Sequence, residues 1–130
     1  MDETPLALAV IDDSDLFRQT LVRLIARLPR LSCVAEGEAA TDLPRVLTAK
    51  PDVVFVDLNL GGSRGVDLVL QIREAAPATR VVLISGNVEP EMARRALDEG
   101  AAACLMKDRV LPLLKHLSDE GLAAFARVRD

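Results

Sequence analysis

The sequence predicts an α/β fold built on a five-stranded parallel sheet with helices on both faces. Five apolar runs of about five residues recur along the chain, at 6–11, 31–34, 53–56, 80–84 and 102–106. The segments between them place apolar residues at helical spacing. The runs themselves are nearly continuous in Val, Leu, Ile and Ala rather than alternating, as strands covered on both faces must be.

Each element has its own justification. The run at 6–11 is too short for a stable helix and reads as the first strand. Leu16, Phe17, Leu21, Leu24, Ile25 and Leu28 then fall on one helical face, and Pro29 stops that helix. After the strand at 31–34, Thr41 or Asp42 is placed to cap a second helix. That helix carries Leu43, Val46 and Leu47 inward until Pro51 ends it. The strand at 53–56 leads to a third helix with Val66, Leu68, Val69, Ile72 and Ala76 on its inner face, stopped by Pro77. After the strand at 80–84, Pro90 suits a first helical turn, Met92, Ala96 and Leu97 follow, and Gly100 closes the fourth helix. Beyond the strand at 102–106, Val110, Leu113, Leu114, Leu117, Leu122, Phe125 and Val128 keep one face apolar. They predict a long last helix weakened by Gly121. Its far end is either a dimer surface or a segment that packs back on the domain.

The 130 residues fit one domain, 1–130, with its core at about 5–118. Half the residues are hydrophobic and the only aromatics are three Phe, so aliphatic side chains build the interior. A net charge of −4 argues against direct nucleic-acid binding, which needs a basic face. The apolar runs are too short to span a membrane, and the acidic start Met1-Asp2-Glu3-Thr4-Pro5 lacks the basic opening of a signal peptide. Cys33 and Cys104 are too few for a disulfide framework and too far apart for a zinc knuckle. A cytoplasmic location with free thiols follows as the expectation.

In parallel sheets of this kind ligands bind outside the carboxyl ends of the strands. Asp12 and Asp13 follow the first strand, Asp57 the third, Ser85 the fourth and Lys107 the fifth. Like charges about 4 Å apart repel by roughly 4 kcal/mol at an effective dielectric near 20. Three converging carboxylates therefore need protonation or a cation. Hard oxygen donors with open positions suit Mg2+. A carboxylate nucleophile, a cation, a lysine and a hydroxyl together serve phosphoryl transfer. Each residue also has a plainer reading. Asp13 or Ser14 suits a helix cap, Asp57 a loop ahead of glycines, Ser85-Gly86-Asn87 a turn, and Asp108 a cap for the last helix. Lys107 is harder to explain plainly, because a cation beside a helix N-terminus opposes the dipole unless it is paired. His116, the only histidine, falls within the last helix.

Over about residues 5–118 the sequence resembles the two-component response-regulator receiver family, which has the flavodoxin-like or CheY-like fold. Val10-Ile11-Asp12-Asp13-Ser14-Asp15 is similar to its opening acidic pair, and Leu16-Phe17-Arg18 resembles the NarL/LuxR-type subclass, usually fused to helix-turn-helix domains. Val56-Asp57-Leu58-Asn59-Leu60 with Gly65, then Leu83-Ile84-Ser85-Gly86, then Gly100-Ala101 with Leu105-Met106-Lys107-Asp108 resemble the remaining motifs in order.

The resemblance implies strand order 2-1-3-4-5, which sets Cys33 and Cys104 on opposite edges, too far apart to bridge. It implies that Asp57 accepts a phosphoryl group from a histidine kinase or phosphotransfer protein. Asp13 would bind Mg2+ directly, Asp12 largely through water, Asp57 by its carboxylate and Asn59 through its backbone carbonyl. Lys107 would pair with Asp57 and then with phosphoryl oxygens, and Ser85 would swing toward them. The result would be a signalling switch with changed partner or dimer preference rather than an enzyme with turnover on an external substrate. Three departures stand out. Gly61-Gly62 replace the loop proline and predict a more mobile loop. Cys104 replaces the switch aromatic, so aromatic coupling cannot operate in its usual form. Asp108 replaces the proline after the lysine, and a trans bond is expected there. The alternatives are a non-phosphorylated binding scaffold and, from Asp13-Ser14-Asp15 after a strand, a haloacid-dehalogenase-type phosphatase.

Overall fold

The computed structural model describes the backbone of residues 4–60 and 63–128. Met1-Asp2-Glu3, and the loop glycines Gly61 and Gly62 with the mobility expected of them, lie outside the described residues. So does the side chain of Val128.

The chain runs β1 (Leu6–Ile11), α1 (Asp15–Arg27), β2 (Leu31–Gly37), a 3-10 turn (Ala40–Asp42), α2 (Leu43–Thr48) and β3 (Val53–Asp57). It continues through a small hairpin of β4 (Asn59–Leu60) and β5 (Ser63–Arg64), then α3 (Gly65–Ala75), β6 (Arg80–Ser85), α4 (Pro90–Asp98) and β7 (Ala103–Met106). A 3-10 turn (Lys107–Arg109), α5 (Val110–Glu120), a second such turn (Gly121–Ala124) and α6 (Phe125–Val128) complete it. The main sheet is ordered β2-β1-β3-β6-β7, and every pairing in it is parallel. Counting only its own five strands, this is the expected 2-1-3-4-5.

Alternation along the strands divides the core in two. Leu8 and Val10 of β1, Val53 and Phe55 of β3, and Val82 and Ile84 of β6 face Leu21 and Ile25 of α1 and Leu113, Leu114 and Leu117 of α5. Ala9, Ile11, Val54, Val56, Val81 and Leu83 face Leu43 and Val46 of α2, Val69 and Ile72 of α3 and Ala96 of α4. Burying each of these larger side chains contributes roughly 1.5–3 kcal/mol before entropy is counted.

Several elements differ from the expectation. β2 runs to Gly37, three residues past the predicted end, with a register irregularity opposite Leu8 and Ala9 that leaves Val34 out of the pairing. At a sheet edge the outer side chains meet water, so Glu36 breaks the apolar run without breaking the strand. The β4–β5 hairpin is too short to leave an apolar pattern. Leu16, placed on the inner face of α1, is 80 % exposed because it stands in the first turn, beyond the sheet. Asp42 does not open α2 as a forward cap. Its carboxylate accepts the backbone N–H groups of Glu38 and Ala39, at 2.8 and 3.1 Å, and these two bonds hold its pKa below the ordinary range. No side chain caps the turn at Lys107–Arg109 or α5, so Asp108 does not take the expected role. No cis peptide is present among the described residues, so Asp108 follows Lys107 through a trans bond.

The predicted long last helix ends at Gly121, whose φ of 64° and ψ of −148° lie where only glycine is comfortable. The chain turns there and seats Ala124 and Phe125 in the core cluster that α1 and α5 also line. The packing-back alternative therefore describes this segment, and Phe125 is not part of an exposed surface. Arg30, in a left-handed conformation between α1 and β2, donates to the Ser118 carbonyl at 2.6 Å. The Ser118 hydroxyl donates to the Pro29 carbonyl. His116 lies 3.5 Å from Glu120 on the solvent side of α5. Among the described residues no helix is long and apolar enough to cross a membrane.

Candidate phosphoryl-transfer site

Adjacent parallel strands in register deliver their last residues to one edge. β1 ends at Ile11, opposite Val56 of β3, and Asp57 of β3 stands opposite Ile84 of β6. Asp12, Asp57 and Ser85 are all buried there, while Asp13 reaches solvent. One carboxylate oxygen from each of Asp12, Asp13 and Asp57 lies within 4.8 Å of the others. The expected cluster is thus brought together from two strands.

Lys107 closes the cluster from the turn that directly follows β7. Its ammonium is 3.0 Å from Asp12 Oδ2 and 3.8 Å from Asp57 Oδ2, and 4.5 Å from the centroid of the Phe17 ring. The nearer partner is therefore Asp12, whereas the expected partner was Asp57. Phe17, in the first turn of α1, gives the ammonium an aromatic face on its other side. Asp12 Oδ2 is fully buried, and although the ammonium is close it has no well-directed hydrogen bond. Asp12 Oδ1 accepts the Ser14 N–H at 2.8 Å. Ser14, not Asp13, caps α1, its hydroxyl accepting the Phe17 N–H at 3.3 Å.

Asp57 is held up at about 6, above the usual 3.8 of a carboxyl. Burial is the main cause and the charges of Asp12 and Asp13 add to it. The Asn59 N–H, donating to Asp57 Oδ1 at 3.1 Å, and the Lys107 charge oppose the rise. An acid oxygen from each of the three residues, together with an Asp12 Oδ2 buried without a directed donor, forms a hard-oxygen donor set that fits a divalent cation such as Mg2+.

Ser85 sits at the end of β6 with its hydroxyl turned into its own loop. It donates to the Asn87 carbonyl at 3.0 Å and accepts the Asn87 N–H at 3.3 Å. The turn reading of Ser85-Gly86-Asn87 thus describes this conformation. A cavity of about 520 Å³ opens beside it, lined among others by Leu58, Asn59, Ser85, Asn87 and Met92. Cys104 of β7 is partly buried against the core cluster under α4, and burial pushes its thiol up. Cys33, on β2, is raised by the same cause, and the two free cysteines stand on opposite edges of the sheet.

Sequence reasoning did not find two neighbours of the acids. Phe17 was placed as an apolar helix residue and, with Arg18, as part of a motif, neither of them as a neighbour of the acids. Arg18 is buried, and its Nη1 donates to the Asp12 carbonyl oxygen at 2.8 Å. The available signal was Asp15 three residues before it, the spacing of a helical ion pair, which the structure forms at 2.6 Å.

Comparison with known proteins agrees with this geometry. Residues 8–117 match the family model of the response regulator receiver domain. The chain is 35% identical over 98 residues to the probable transcriptional regulatory protein NarL of Mycobacterium tuberculosis, covering 75% of this chain and 45% of that protein. It spans about half the length of the curated relatives it matches. The signal receiver domain of NarL from Mycobacterium tuberculosis superposes with a TM-score of 0.81 at 29% identity, covering 93% of this chain and 97% of that one. A response regulator protein from Burkholderia pseudomallei, solved with a phosphorylated aspartic acid, calcium ion and citrate, gives 0.72 at 25% identity, over 93% and 73% of the two chains. Strand order, the acid cluster and the matched span converge: this chain belongs to the response regulator receiver domain family, a family of two-component signalling domains.

Proposed function

We propose that this chain is a phosphorylation-dependent signalling switch whose acceptor is Asp57. The observation that carries the reading is the meeting of Asp12, Asp13 and Asp57 with the Lys107 ammonium at one strand edge. An Asp57 carboxylate oxygen attacks the phosphorus of a phosphohistidine on a histidine kinase or phosphotransfer protein. The bond from phosphorus to the donor nitrogen breaks, and an acyl phosphate forms on Asp57. Asp12, Asp13 and Asp57 would hold Mg2+, with the Asn59 backbone carbonyl as a further oxygen donor. When bound, the ion neutralises charge on the transferring group. Lys107 shifts from Asp12 toward the phosphoryl oxygens, and the Ser85 hydroxyl leaves Asn87 to donate to them. Moving Ser85 draws the β6–α4 loop inward and alters the face around α4, β7 and α5. With Cys104 in place of an aromatic ring, that change travels through the loop alone.

The reading includes a single domain over 1–130 with its core at about 5–118, a cytoplasmic setting, and no turnover on an external substrate. Its NarL relatives are longer regulators, of which it matches about half, which supports a DNA-binding effector as the output partner, with a homodimer as a second mode. A scaffold that never takes phosphate is the second reading. Its support is the committed Ser85 hydroxyl together with Cys104.

The test is beryllofluoride binding in the presence of Mg2+, followed by amide chemical shifts. Saturable binding that Asp57→Asn abolishes is expected. No binding to the unmodified chain leaves the scaffold reading, and multiple turnover of a generic phosphomonoester points to a phosphatase.

A further inference from the structure

Among the described residues Arg18 is the only cation that the fold buries. Its ion-pair partners do not explain the burial. Asp15, Glu36 and Glu38, at 2.6, 3.2 and 3.3 Å, have side chains about half-exposed or more. Water would solvate those acids, and a surface arginine would serve them equally well. Burying a cation is unfavourable unless it is well bonded. The bond that water cannot supply is the one from Nη1 to the Asp12 carbonyl, 2.8 Å long and buried.

That carbonyl belongs to the peptide joining Asp12 to Asp13. On its other side the Asp12 N–H donates to the Gly37 carbonyl of β2 at 3.0 Å, and Asp12 Oδ1 accepts the Ser14 N–H. The backbone that aims both carboxyls is therefore held by β2 at the N–H and by Arg18 at the carbonyl. The Arg18 guanidinium is held in turn by Asp15, the first residue of its own helix, and by Glu36 at the end of β2. The guanidinium is a planar fork with donors on several sides, and an ammonium cannot reproduce that geometry.

We infer that Arg18 is a positioning residue for the acid cluster: by fixing the Asp12–Asp13 peptide it sets the two carboxyls where, with Asp57, they hold a divalent cation. The inference rests on the proposed Mg2+-binding function. It is separable from a charge effect because the two have opposite signs. Removing a positive charge near the cluster favours a cation, whereas misaligned carboxyls bind it less well.

Calorimetric titration of the whole chain with Mg2+, alongside melting temperatures without metal, tests it on the unmodified chain, Arg18→Lys and Arg18→Gln. Both variants should bind Mg2+ about tenfold more weakly, the scale on which residues supporting metal ligands act. Arg18→Gln should weaken binding even though it deletes a positive charge. Tighter binding by Arg18→Gln, or Arg18→Lys within twofold of the unmodified chain, overturns the inference, even if either variant melts earlier. A variant that stays unfolded in saturating Mg2+ also counts against it, because Arg18 then serves the fold. Should the unmodified chain fail to bind Mg2+, the functional reading falls and takes this inference with it.

Discussion

Asp57 shows how one buried side chain couples the site to the stability of the domain. Its carboxyl is raised to about 6, chiefly by burial. Between the ordinary carboxylate value and that figure, the folded protein keeps a proton that the unfolded chain has released. Stability of the metal-free domain therefore falls as pH rises through this window and returns on acidification. Asp57→Asn should remove that slope. It should also raise metal-free stability at neutral pH by about 1 kcal/mol or more, since one pKa unit is worth about 1.4 kcal/mol. Urea melts from pH 4 to 8 on both proteins check this, and an unchanged slope would assign the effect to another group. Residue identity at the strand ends was legible in the sequence, because a polar residue after an apolar run is a visible break. Which acid Lys107 approaches was not. It depends on the Phe17 ring and on the buried Asp12 oxygen, and both are products of packing.

At the scale of elements, the sequence was clearest where apolar spacing was regular, as in α1, α3 and the central strands. It was weakest where backbone geometry decides. Gly121 ends α5 through a conformation that side chains resist, and nothing stands within 4 Å of a Cβ built there. The cost of Gly121→Ala is then purely conformational, about 1–3 kcal/mol, read from equilibrium unfolding. A stability equal to the unmodified chain would mean that this turn relaxes freely into helix. Gly37 fails for the opposite reason. A Cβ there would lie 2.8 Å from Asp42 Cβ, inside the turn that Asp42 organises. Gly37→Ala should destabilise the domain by roughly 1–3 kcal/mol as an overpacking change. The end of β2 carries Glu36, a partner of Arg18, so its disturbance should also be visible in the amide shift of Asp13.

For the whole molecule, the two-sided core and strand order were readable because burial on both faces leaves unbroken apolar runs. The route of the C-terminal segment was not, because a periodic apolar face does not say what it packs against. Phe125 is only 6 % exposed and belongs to the same cluster as α1 and α5. Phe125→Ala should cost about 3 kcal/mol, measured by urea unfolding. Mg2+ affinity should be unchanged, since the acids lie at the opposite end of the strands. A loss below 1 kcal/mol would mean that the segment is loosely held.

The irregularity at Val34 has a consequence for how this protein behaves when concentrated. β2 is the longest strand and lies at an open margin of the sheet, where unpaired backbone groups invite a neighbouring molecule to add a strand. One surplus residue there throws an incoming strand out of step after a few bonds. The other margin, β7, is four residues long, too short to template much. Both margins thus discourage the addition of a strand from a second molecule.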